Sequence, residues 1–141
     1  MNTRTFLTSL AIATGLLGLT ACDNKIESLS KKQFAVTTEM AEILLDCESA
    51  ADVESAIDEI KELQGELKEL SKEAQRSESE FTKLSEEEYT ELEVTRMNNR
   101  LEIAGAKATG LMQDAMAHVL ELCKDDTETL KKLSEAMTDA E

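Results

Sequence analysis

From residue 26 onward the apolar positions recur at steps of three and four, the spacing that sets side chains on one face of an α-helix. Ile26, Leu29, Val36, Met40, Ile43 and Cys47 form a first stripe, with Gln33 filling its one polar slot. The step turns irregular at 47–52, where the chain is expected to break or kink. Ser49-Ala50-Ala51-Asp52 reads there as a capping box, with Ser49 as N-cap supplying oxygen to amides that the first helical turn leaves open. A second stripe runs through Val53, Ala56, Ile60, Leu63, Leu67, Leu70 and Ala74, and its phase reaches Ser77, Phe81 and Leu84. Periodicity is weakest at Arg76-Ser77-Glu78-Ser79-Glu80, which places a turn near 77–85.

A third helix is predicted to open at Ser85-Glu86-Glu87-Glu88, where first-turn carboxylates suit the positive end of the helix dipole. Its stripe is Val94, Met97, Leu101, Ala104, Ala108, Met112, Ala115, Val119 and Leu122, with Cys123 on the flank. Leu130, Leu133, Met137 and Ala140 keep the same phase beyond Lys124-Asp125-Asp126, either in a continuing helix or in one recapped at Asp125 or Asp126. The fold class is therefore all-α: a long antiparallel helical hairpin of coiled-coil type, or a small up-down helix bundle. In the hairpin, a turn centred near residue 85 would set position 47 opposite 123, and 30–46 opposite 124–140.

Composition strengthens this reading. The 141 residues include no Pro, no Trp, three Phe and one Tyr, with 32% charged side chains, which argues against sandwiches, barrels and doubly wound sheets. Thirty acidic against fifteen basic residues give a formal charge of −15. Nucleic-acid binding, which needs a basic surface to displace counterions, is excluded on that ground.

The N-terminus is of another kind. Arg4 is followed by a charge-free stretch from Thr5 to Cys22, too short and too rich in Thr, Ser and Gly for a comfortable membrane span. It ends in Leu19-Thr20-Ala21-Cys22, which resembles the lipobox of bacterial lipoproteins. The resemblance implies a signal peptide at 1–21, cleavage before Cys22, a thioether-linked diacylglyceryl group on its sulfur and an acylated amine. Residues 22–141 would then be a single α-helical envelope domain, anchored by lipid and facing the periplasm or the exterior. Asp23 occupies the place where, in enterobacterial lipoproteins, an aspartate accompanies inner-membrane retention, a rule that varies among bacteria. The run from Glu48 to Ala56, with Leu63, Leu67, Leu70 and Ser85-Glu86-Glu87-Glu88, also resembles a loose group of small uncharacterised helical-hairpin lipoproteins, and that likeness implies no activity.

Export changes how the remaining cysteines read. With Cys22 taken by lipid, Cys47 and Cys123 are left as a pair in an oxidising compartment. A disulfide between them is expected, closing a long loop and stabilising by about 4 kcal/mol in the chain-entropy model. The competing reading is two buried thiols.

Candidate chemistry is sparse. Asp114, His118, Glu121 and Asp125 share one helix face and could offer a nitrogen and several oxygens to Zn²⁺ or another divalent ion, although acidic residues on such a face are ordinarily just solvated. Haem ligation by His118 and Met40 lacks a CxxCH. Met112 and Met116 lie four apart, as in Cu(I) sites, but core packing is the commoner use. Ala106, Gly110 and Ala117, with Ile103 and Leu120 beside them, form a small-residue strip opposite the main stripe, suited to close approach of a helix from this chain or another copy. No G-x-S-x-G turn or phosphate-cradling loop occurs, so no enzyme and no cofactor are expected.

The expectation is a non-enzymatic, lipid-anchored spacer, docking or self-association module, whose contact with a basic partner would weaken as salt rises. The alternatives are a divalent-metal or small-ligand binding bundle, and an inhibitor or chaperone acting on a basic periplasmic partner. The L-T-x-x-Q motif of one hairpin chaperone family does not occur after Cys22.

Overall fold

A computed structural model describes residues 24–81 and 91–138. They form four helices, α1 (Asn24–Leu45), α2 (Ala50–Phe81), α3 (Glu91–Leu122) and α4 (Thr127–Thr138), and no strand occurs among the described residues. Residues 1–23, with Cys22, and residues 82–90, with the Ser85 helix start, lie outside the described residues, and α2 continues to Phe81 through part of the 77–85 stretch expected to turn.

Local chemistry sets the helix ends. The Ser49 hydroxyl accepts the Asp52 amide at 3.2 Å and donates to the Asp52 carboxylate at 2.9 Å, while the Glu48 amide donates to the same carboxylate at 3.1 Å. This is the capping box the spacing predicted. At α4 the recap falls on Asp126, whose carboxylate accepts the Thr129 amide at 3.1 Å and the Thr129 hydroxyl at 2.8 Å. Neither connection uses a left-handed residue, since positive φ occurs nowhere among the described residues. Both caps depress their carboxyl groups: the Ser49 hydroxyl does so for Asp52, and the Thr129 amide for Asp126.

Long-range bonds fix the direction of each helix. Gln33 on α1 donates to the Ser71 hydroxyl on α2 at 3.1 Å, so α2 folds back antiparallel across the 46–49 turn. Near the start of α1, Glu27 pairs with Arg100 at 3.4 Å, and just past its end the Cys47 carbonyl meets His118 at 2.7 Å. Helices α1 and α3 therefore run parallel. Lys132 reaches Glu54 at 2.7 Å and ties α4 to α2. The most extensive packing is between α1 and α3, followed by α1 with α2 and α2 with α4. The result is an up-down-up-down bundle with α1 between α2 and α3.

Of the two architectures expected, the bundle is the one formed. The hairpin register, with 30–46 beside 124–140, is replaced by α1 lying along the 100–118 stretch of α3. The reason lies in α1, which buries more than one stripe. Leu29, Val36, Met40, Leu44 and Cys47 are buried, and so are Ser30, Gln33, Phe34, Thr37 and Ala41. One hairpin partner would leave half of these in water.

The main core joins Met40 and Leu44 of α1 to Val53 and Ile60 of α2, Met112 and Val119 of α3, and Leu133 of α4, all at most 1% exposed. A smaller cluster sets Phe34 against Leu101 and Ala108 at the α1–α3 contact. No helix among the described residues is long and apolar enough to cross a membrane.

Candidate functional site

Two places bear on function. The first is the end of the bundle where both short connections meet. Cys47 lies two residues past the end of α1 and Cys123 one residue past the end of α3, and both are buried in the main core. They stand as two free thiols, not as the bridge expected from the sequence. The Cys47 sulfhydryl donates back to the Ile43 carbonyl at 3.3 Å, so its sulfur is engaged by its own helix. Burial pushes both thiols up, and the charges of Asp52 and Asp46 near Cys47 and of Asp126 near Cys123 add to the effect. Protonated, sequestered sulfur is packing material and a poor nucleophile.

His118 sits in the same end. A carbonyl only accepts, so the 2.7 Å contact fixes the proton on Nε2 and makes His118 the donor to the Cys47 carbonyl. That bond satisfies an acceptor beyond the last turn of α1 and locks α1 to α3. It also takes Nε2 out of the divalent-ion reading. Asp114 is exposed, and Glu121 pairs with Lys124 at 2.9 Å, which holds its carboxyl below the usual range. Among the described residues no group of three or more His, Cys, Asp or Glu could hold a metal ion. Met40, Met112 and Met116 are core side chains.

The second place is the outer face of α3. Ile103 is 71% exposed and Leu120 40%, and no other large hydrophobic side chain among the described residues is exposed. Between them Ala106, Gln113 and Ala117 are exposed and Gly110 is half-buried. A Cβ built on Gly110 would meet nothing within 4 Å, so no neighbour in the bundle presses on this strip. The sequence reading found the strip. It did not find the polar layer Gln33–Ser71, because a buried Gln looks like an interruption until its partner on another helix is known.

No protein-family model matches the chain, and neither does any curated protein or solved structure.

Proposed function

We propose that this protein is a non-enzymatic, lipid-anchored docking module of the bacterial envelope. The observation that carries the reading is Leu19-Thr20-Ala21-Cys22 at the end of a charge-free leader, with α1 opening at Asn24 only two residues further on. Cleavage before Cys22 would place the acyl chains directly beneath a folded bundle. Two or more such chains anchor a protein stably, since each buried methylene contributes about 0.8 kcal/mol. Loss of the leader removes Arg4 and takes the formal charge from −15 to −16, which supports a basic partner met at low salt. The bare outer face of α3 supports docking over a purely spacing role.

The anchor is tested by feeding cells an alkyne fatty acid and fractionating them. The native chain is expected to carry label and sediment with membranes, and Cys22→Ala to lose both. A native polypeptide that begins at Met1 with an unmodified thiol at Cys22 overturns the reading.

A further inference from the structure

We infer that α2 is hinged at Gln64–Gly65, and that its second half, from Glu66 onward, swings off α1 as a strap while the rest of the bundle stays closed. The inference goes beyond the docking reading and does not depend on it.

The two halves of α2 are held differently. The first lies against both α1 and α4: Val53 and Ile60 are 0% exposed in the main core, and Lys132 of α4 reaches Glu54 at 2.7 Å. Helix α4 runs in the same direction as α2 and ends at Thr138, six residues past Lys132, so its cover stops near the level of Ile60. Beyond that level α2 leans on α1, and its contact with α3 is slight. Burial loosens accordingly. Leu67 is 9% exposed, Leu63 and Leu70 are half-buried, and Ala74 is buried without joining either apolar cluster. A neutral hydrogen bond, Gln33 to Ser71 at 3.1 Å, ties this half to α1.

The junction between the halves is built from two residues that a rigid helix would not choose. Gln64 is 6% exposed, and its side chain makes no hydrogen bond among the described residues. A desolvated amide without a partner favours any motion that returns it to water. Gly65 follows it in the middle of a 32-residue helix, where glycine weakens the helix relative to alanine. Close packing would justify a glycine there, but a Cβ built on Gly65 would meet nothing within 4 Å. What glycine supplies at this point is ease of leaving helical dihedrals, at the place where α4 no longer covers α2. Gly110 is equally open, yet α3 stays seated around it, with Ala108 and Met112 buried on either side.

Swinging of the strap breaks Gln33–Ser71 and bares the face of α1 that carries Gln33 and, three residues on, Val36. The main core around Met40, Leu44 and Val119 is left intact, so this opening lies below global unfolding in free energy.

The test is native-state alkylation by iodoacetamide of the full chain carrying Cys22→Ser and Val36→Cys, each thiol followed by peptide mass. Cys47 and Cys123 serve as internal reporters of core opening. The thiol introduced by Val36→Cys should react at least about tenfold faster than either of them. Gly65→Ala should slow it about fivefold, the factor that the helix preference of alanine over glycine implies, and leave Cys47 and Cys123 unchanged. Gln64→Leu, which removes the unpartnered amide, should slow it about threefold or more. Gly110→Ala should leave it unchanged. One common rate for the three thiols overturns the proposal, as does equal slowing of all three by Gly65→Ala, since either means that the bundle opens only as a whole. A rate at position 36 indifferent to Gly65→Ala, or slowed as much by Gly110→Ala, overturns the hinge. Because Cys22 is replaced throughout, failure of acyl labelling at that position does not touch these outcomes.

Discussion

Helices α1 and α3 run side by side in the same direction and make the bundle's largest contact, yet they meet water differently. α1 is wrapped by α2 and α3 and keeps a narrow solvent strip at Ser28, Lys31, Lys32, Ala35, Glu39 and Glu42. Helix α3 buries one stripe and turns a second line, Ile103 to Leu120, outward. The wrapped helix even accepts polar residues inside, because Gln33 finds Ser71 and the Thr37 hydroxyl donates to the Gln33 carbonyl at 2.9 Å. The unwrapped one leaves apolar side chains outside with nothing beside them. Burial thus takes most of one helix and a single stripe of the other.

The sharpest way to break that comparison is to cut equal pieces from both. Leu44→Ala, at 0% exposure on α1, should cost about 2–5 kcal/mol in urea unfolding, whereas Ile103→Ala on α3 should stay within about 0.5 kcal/mol. Equal losses would mean that the outer face is covered in the monomer. Alkylation of the thiols at neutral pH examines the end where the two helices are joined. Cys47 and Cys123 should both react at least about a hundredfold more slowly in the native protein than in denaturant, since access requires opening of the core. Fast labelling of Cys47 alone would show that α1 frays and that the wrapping is incomplete.

A smaller effect is expected at the lock between the two helices. His118→Ala leaves the Cys47 carbonyl without its donor and should cost about 1 kcal/mol by thermal or urea unfolding. His118→Gln should recover part of it. The smallest effect belongs to the cap that turns the wrapped helix into α2. Asp52 has a folded-state pKa below its ordinary 3.8, chiefly through the Ser49 hydroxyl, so its contribution is present above that value and is lost as pH falls through the lower folded one. The melting-temperature difference between the native chain and Asp52→Asn should therefore shrink between pH 5 and pH 2. A difference that stays constant would mean that the carboxylate does not carry the cap.

Much of this bundle could be read from one sequence. Ser49 and Asp52 spell their cap within four residues, Asp126 sits where α4 opens, and the buried stripes of α2 and α3 keep their phase over many turns. What escaped the reading was the breadth of burial on α1. Ser30, Phe34, Thr37, Ala41 and Leu44 lie off the stripe at Val36 and Met40, and only the thin solvent strip at Ala35, Glu39 and Glu42 signalled a second buried face. The cysteines misled for a related reason. An expected oxidising compartment and the hairpin register pointed to a bridge, whereas the folded chain turns the Cys47 sulfhydryl back to the Ile43 carbonyl.

The sequence by itself determined that the chain is helical, where two of its helices are capped, and which face of α2 and α3 turns inward. These are consequences of neighbours three or four residues apart, and the chain states them locally. Only the tertiary structure decided that α1 lies parallel to α3 with α2 folded back along it, that His118 serves a carbonyl, and that the two thiols stay apart. Those outcomes depend on which apolar faces find one another across some seventy residues of chain, a competition among whole surfaces that no local pattern records.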